Sequence, residues 1–242
     1  MKRILFLTST VTPSNIKFVG TQEQRRQEYL RAIGFYLQET DYHILVVDNS
    51  GYDFSQDFQN CSRLECLAFK AEDHSAKGKG YGELCLMKYG FEHSRFLIEA
   101  DQIVKITGRH IVKNINRLLQ PCKNRVAVYA DIDIKLTFAM TYFFVAPRGF
   151  YEEFLFPNME KLNDSQHFFL EHLVGEQLQE WLSAHRKFHE FKYPIHLVGH
   201  QGASCKSYRA PGLDRYLLIG IKYMLRECMN IYGHHSLKRY GR

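Results

Sequence analysis

The sequence has no CxxC pair, no apolar run long enough to cross a bilayer and no internal repeat. Each gap removes a class of protein. Six cysteines, at positions 61, 66, 85, 122, 205 and 228, are scattered along the chain, so they read as reduced thiols rather than a zinc cluster or a disulfide framework. The opening Met1-Lys2-Arg3-Ile4-Leu5-Phe6-Leu7-Thr8 has four consecutive apolar residues before hydroxyls intervene. A secretory leader needs a core of roughly 7–15 and a spanning helix roughly 18. A first strand is expected there instead, in a cytoplasmic protein. Low-complexity tracts and Pro/Gly-rich linkers are missing too, so one domain over 1–242 is expected. No basic stripe accompanies a nucleic-acid-binding module, which argues against a nucleic acid partner.

What is present is an ordinary globular composition, 45% hydrophobic and 24% charged, which excludes a disordered or fibrous chain. Aromatics make up 14% (18 Phe, 15 Tyr, 1 Trp), enough for a sizeable core. The 32 Lys plus Arg against 26 Asp plus Glu give a formal charge of +6, which suits an anionic ligand or a lipid surface.

Apolar periodicity alternates strand with helix through the first half. Ile4–Leu7 reads as a strand buried on both faces. Thr21 with Gln24 forms a capping-box pattern ahead of Tyr29, Leu30, Ile33, Tyr36 and Leu37 at helical spacing. Strands are expected at His43–Val47, Leu64–Phe69 and Arg95–Glu99, with a helix over Glu83–His93. A further helix is expected over Gly108–Leu119, with Ile111, Ile115, Leu118 and Leu119 on one face. The second half is less regular. Val126–Tyr129, Tyr142–Ala146 and Ile195–Val198 read as strands, and Ser165–Ala184 and Leu213–Tyr232 as helices. This alternation predicts an α/β fold with a doubly wound, mostly parallel sheet and helices on both faces. Ligands of such sheets bind at the carboxyl ends of the strands, where Thr8, Ser9, Thr10, Asp48, Asn49, Ser50, Glu99 and Asp101 are expected.

Three constellations could carry chemistry. Asp48-Asn49-Ser50-Gly51 ends a buried strand, where a carboxylate can accept from a ribose hydroxyl or a uracil N–H; an Asx-turn is the alternative. Lys77-Gly78-Lys79-Gly80-Tyr81-Gly82-Glu83 has the glycines, cations and following helix of a phosphate cradle, without being a Walker A loop. Glu99-Ala100-Asp101, followed by Lys105 and Arg109, pairs two carboxylates that could hold a divalent cation with two cations that could face a diphosphate. Asp131-Ile132-Asp133 offers a second acidic pair.

In order, these features resemble the GT-A fold glycosyltransferases, which have a strand-end Asp, a Gly-containing helix start and a DxD-type motif. Lys105-Ile106-Thr107-Gly108-Arg109-His110 looks like the K-(I/L)-T-G-(R/K)-Y signature of glycosyltransferase-like proteins from bacterial surface (capsular or O-antigen) polysaccharide clusters, with His110 in place of Tyr. The resemblance covers residues 1–120, the nucleotide-sugar-binding half, and leaves 121–242 as the acceptor half. It implies that Thr8, Ser9, Thr10, Asp48, Asn49 and Ser50 hold base and ribose, while Lys77, Gly78, Gly80 and Glu83 line the donor. By the same resemblance Glu99 and Asp101 hold a divalent cation, Mn or Mg, and Lys105 and Arg109 face the diphosphate. The general base is expected in the acceptor half, as Glu171 or Asp164. The implied reaction passes a sugar from a nucleotide diphosphate to a glycan or lipid-linked acceptor, with inversion. The rivals are a sugar nucleotidyltransferase and a non-catalytic scaffold.

Other features are weaker. His185 and His189 have zinc-pair spacing on an expected helix, without the HExxH context. Gly199–Ser204 could close over a diphosphate. The basic final residues, with Lys238, Arg239 and Arg242, could make a peripheral contact with anionic lipid.

Overall fold

The computed structural model describes residues 1–13, 21–72, 76–200 and 207–239, with side chains described as far as residue 230. Its centre is β1 (Arg3–Ser9), buried along its whole length. Ile4 and Phe6 face one core layer and Leu5 and Leu7 the other, as the two-residue period of a strand requires. The helix α1 (Gln22–Glu39) opens with the expected capping box. The Thr21 hydroxyl accepts from Gln24 N at 3.1 Å, and the Gln24 side chain accepts from Thr21 N at 2.9 Å. Tyr29, Ala32, Ile33 and Tyr36 of that helix are buried against the sheet.

β2 (His43–Asp48) and β3 (Leu64–Ala68) follow, then α2 (Lys79–His93), the single turn α3 (Arg95–Ile98) and β4 (Gln102–Thr107). Beyond them come β5 (Ile111–Val112), α4 (Ile115–Leu119), β6 (Val128–Ile132) and β7 (Ala139–Ala146). A π-helical turn at Phe150–Leu155 and a 3-10 turn at Phe156–Lys161 lead to α5 (Leu170–Ser183), β8 (Phe188–Glu190), β9 (Leu197–Val198) and α6 (Leu213–Arg239). The seven-stranded sheet has the order β3-β2-β1-β4-β7-β6-β8, and β5 with β9 forms a separate pair. Within the large sheet only β7 runs against its neighbours. Helices α2 and α5 cover the face of Ile4 and Phe6; α1 and α4 cover the face of Leu5 and Leu7. The fold is the expected doubly wound, mostly parallel α/β sheet.

Four local expectations are corrected. Arg95–Glu99 is not a strand: the Ser94 hydroxyl accepts from Phe96 N and Leu97 N and starts the turn α3. The strand lies later, at Gln102–Thr107, where Lys105 interrupts the apolar run that would have revealed it. Gly108–Leu119 is not one helix, because the buried Tyr36 hydroxyl donates to His110 O and accepts from Val112 N, both at 2.9 Å. Those bonds hold the chain extended as β5 before α4 begins. Ser165–Ala184 starts its helix only at Leu170, after a tight turn in which Asn163 and Phe168 bridge and His167 is left-handed. His185 lies past the end of α5 at φ 60° and His189 on β8, so they do not share a helix.

Candidate active site

The carboxyl ends of β1, β2 and β4 share one edge of the sheet with the start of the antiparallel β7. On the α2/α5 side of that edge sits Lys105, fully buried. Its Nζ lies 2.6 Å from Glu83 Oε1 and donates to Thr141 O at 2.5 Å and to Thr107 Oγ1 at 3.2 Å. The Thr8 hydroxyl donates to the same Glu83 oxygen at 2.8 Å. The Thr141 hydroxyl donates to Glu171 Oε1 at 2.6 Å. A lysine inside a sheet is costly to desolvate, and three oxygen partners offset that cost. The result is a continuous polar row, Thr8–Glu83–Lys105–Thr141–Glu171, with half-buried carboxylates from the starts of α2 and α5 on either side of Lys105.

β4 leaves this row through a turn that needs Gly108. Its N–H donates to Thr8 O at 2.9 Å, and a Cβ there would stand 2.6 Å from the same oxygen. Arg109 follows, buried, with Nη1 3.4 Å from Glu28 Oε2; His200 Nδ1 is 2.9 Å from the other Glu28 oxygen. His110 Nε2 meets His200 O at 3.1 Å and acts as donor. Burial and then the Arg109 charge push its pKa down to about 3, so the ring is neutral.

Thr10 Oγ1 donates to Asn49 Oδ1 at 2.6 Å and Ser50 Oγ accepts from Thr12 N at 3.0 Å, so the β1 and β2 termini are tied together. Asp48 performs a different task from the one expected. Its carboxylate is fully buried. Ser50 N, Ser50 Oγ and Tyr52 N donate to one oxygen, and Ser9 Oγ and Val11 N to the other, at 2.6–3.1 Å. It locks two loops and offers no free lone-pair direction to a ribose.

The glycine loop is likewise engaged from within. Asp164 Oδ2 accepts from Lys79 N at 3.0 Å, and Asp164 N donates to Lys77 O at 3.1 Å. Gly78 has φ +97°, and a Cβ on it would fall about 2 Å from the Asp164 carboxyl group. Gly80 packs its backbone against Leu170. Lys77 pairs with Glu160 and lies over the Tyr81 ring. Asp164 therefore anchors the start of α2 and is not among the residues of the polar row.

The expected metal pair is at the wrong end of the molecule. Glu99 and Asp101 precede β4 and lie at the amino edge of the sheet, where Lys2 Nζ binds Glu99 at 2.6 Å and Lys2 N donates to Asp101 at 2.7 Å. Arg125 adds a contact of 3.5 Å to Asp101. These pairings draw both carboxyl pKa values below their usual range. Asp131 and Asp133 do not fit a cation either. Asp131 pairs with Lys222 and Arg215, and Asp133 binds Thr137 and Phe138 in a turn. Among the described residues no group of three or more His, Cys, Asp or Glu is placed to hold a metal ion.

The structure thus gathers Thr8, Glu83, Lys105 and Glu171 into one row, places Arg109 past the Gly108 turn against Glu28, and leaves out Glu99 and Asp101. Thr141 and Glu28 were missed, since a single Thr in a strand and a Glu on a charged helix carry no distinctive pattern. Residues 201–204 of the expected lid lie outside the described residues.

No protein-family model matches the chain, and no curated protein sequence does. Among solved structures it is similar to a protein described as a nucleotide-diphospho-sugar transferase from Desulfovibrio desulfuricans G20. That likeness has a TM-score of 0.49 and 10% identity over 79% of this chain and 80% of the other. It is also similar to a CMP:2-keto-3-deoxy-manno-octonic acid synthetase complexed with CTP, at a TM-score of 0.40 and 11% identity over 95% and 98% of the two chains. Neither score reaches 0.5, so the fold assignment rests on the strand order and the two helical layers. No helix among the described residues is long and apolar enough to cross a membrane.

Proposed function

We propose that the protein is a glycosyltransferase that passes a sugar from a nucleotide-diphosphate donor to a hydroxyl of a glycan or lipid-linked acceptor in surface polysaccharide synthesis. The observation that carries this reading is the polar row at the carboxyl edge, two half-buried carboxylates bracketing a buried lysine. Glu171 is the general base. It takes the acceptor proton while the acceptor oxygen attacks the anomeric carbon, and the bond to the diphosphate oxygen breaks with its electron pair. Lys105 and Arg109 face the negative charge that develops on the departing diphosphate. Attack opposite the leaving group inverts the anomeric centre. Thr10, Asn49 and Ser50 are the polar groups nearest the base and ribose. The residues expected to hold a divalent cation do not fit one, so no step here is routed through a metal. A lipid-linked acceptor would bring the protein to the inner membrane face.

Calorimetric titration against a panel of nucleoside diphosphates and nucleotide sugars, with and without manganese, tests the reading. Saturable binding of at least one nucleotide diphosphate is expected, and no binding to any would overturn it. A sugar nucleotidyltransferase would instead release pyrophosphate from a nucleoside triphosphate and a sugar phosphate. The segment Thr8–Pro13, at the end of β1 and just past it, has no Lys or Arg to meet a triphosphate, which makes that the second reading. Product analysis separates them.

A further inference from the structure

The helix α6 turns two of its charged side chains inward beside the buried Ile219. Lys222 and Arg226 are buried. Lys222 Nζ lies 2.6 Å from Asp131 Oδ1 and 3.4 Å from Glu190 Oε2, and Arg226 reaches the carbonyls of Asp133 and Ile134. The apolar side points outward. Leu217, Leu218, Ile221, Met224, Leu225 and Met229 are each 39–62% exposed, and their spacing of three and four residues puts them on one stripe. The charged residues of the helix between Leu217 and Met229 are Lys222 and Arg226, both buried, and Glu227, which meets His189. Ile219 is the buried apolar contact of α6, and Lys222 adds its contacts to Asp131 and Glu190.

The surroundings of the stripe identify what covers it. On the Tyr223–Glu227 side a cleft of about 260 Å³ is lined by the exposed Lys123, Lys187 and Lys192. On the Arg226 side, the loop that Arg226 binds carries Lys135 and an outward Ile134, 64% exposed. After Glu227 the sequence has no Asp or Glu and adds Lys238, Arg239 and Arg242. An apolar stripe fringed by lysines is complementary to acyl chains bordered by anionic headgroups. A second copy of the same surface would set like charges against each other, at a cost.

We propose that α6 lies in the plane of an anionic bilayer, with Leu217, Ile221, Met224 and Met229 among the acyl chains and the flanking lysines at the headgroups. The proposal extends the lipid-linked-acceptor reading, yet it rests on α6 and uses none of the active-site residues. The test is co-sedimentation of the full chain with vesicles of phosphatidylcholine alone and of phosphatidylcholine mixed with phosphatidylglycerol, alongside light scattering. Binding to the anionic vesicles at least about tenfold tighter than to the neutral ones is expected, weakening with added salt. The triple variant Leu217→Ser, Ile221→Ser, Met224→Ser should lose at least about tenfold in vesicle affinity, with its circular dichroism spectrum and nucleotide titration unchanged. A second variant, Lys123→Gln, Lys187→Gln, Lys192→Gln, should lower affinity for anionic vesicles alone. Equal binding by wild type and the triple-serine variant overturns the proposal, as does no binding by wild type. So does a dimer in solution that the serine substitutions convert to monomer, which would assign the stripe to a second copy. Failure of nucleotide binding in the wild type with vesicle binding intact would overturn the glycosyltransferase reading and leave this one standing.

Discussion

Two acids at the same edge of the sheet do opposite things, and the difference lies in their donors. Asp48 accepts five hydrogen bonds and is sealed from solvent. Asp48→Ala removes the acceptor and strands several buried donors, so a loss of about 3 kcal/mol is expected, read as a lower urea midpoint at constant slope. Among the described residues Glu171 has one donor, Thr141 Oγ1, and it remains half-buried. Glu171→Gln should lower turnover by about 10²–10⁴-fold, the usual range for a lost general base. Nucleotide affinity by calorimetry should stay within about twofold, because the base faces the acceptor. Wild-type turnover in the glutamine variant would remove Glu171 from the mechanism.

At the scale of elements, the placement of β4 decides the site. Because the strand runs Gln102–Thr107, Lys105 comes to its carboxyl half beside Glu83, and Glu99 and Asp101 are left at its amino end against Lys2. Glu99→Ala and Asp101→Ala should therefore keep turnover and donor affinity within about twofold of wild type in steady-state kinetics, as surface changes away from a site do. A large loss from Asp101→Ala would restore the acidic pair to the site. The start of α2 is equally constrained. Gly78 is in the left-handed region, and its Cα faces the Asp164 carboxylate with no room for a methyl group. Gly78→Ala combines backbone strain with that collision and should cost at least about 2 kcal/mol in chemical denaturation.

At the scale of the molecule, the contact between sheet and α6 ties stability to pH. Glu190 is shut between β8 and α6, and burial pushes its carboxyl pKa up to about 7, against the opposing pull of Lys222. The folded form holds this proton more tightly than the unfolded chain, whose carboxyl titrates near 4.5. The contribution is thus complete below about pH 4.5 and is lost as pH rises through about 7. His110 acts in the other direction. Its folded pKa is near 3 against an ordinary 6.5, so its contribution is present above 6.5 and fades as pH falls toward 3. The comparison of wild type with Glu190→Gln isolates the first effect. Between about pH 5 and about pH 8 the wild type should lose on the order of 3 kcal/mol relative to the variant. Parallel urea-stability profiles for the two proteins would contradict it.

The amino-acid sequence by itself determined β1, β2, β3 and α1, and with them the doubly wound sheet. Those signals are local: a continuous apolar run, a turn cluster at Asp48–Gly51, a hydroxyl and an amide three residues apart at Thr21 and Gln24. It also brought Lys105, Arg109 and Glu83 into view near predicted element ends, and Glu171 through the family resemblance. Only the tertiary structure decided which of them meet. Lys105 is tolerable inside β4 because Glu83, 22 positions earlier, and Thr141, 36 positions later, arrive from other elements. Asp164 is drawn to the start of α2 from 85 residues away, and Asp101 to the backbone of Lys2 from 99. A charged side chain in a fold is assigned by the partner that offsets its desolvation, and that partner is set by the packing of distant segments rather than by the residues on either side.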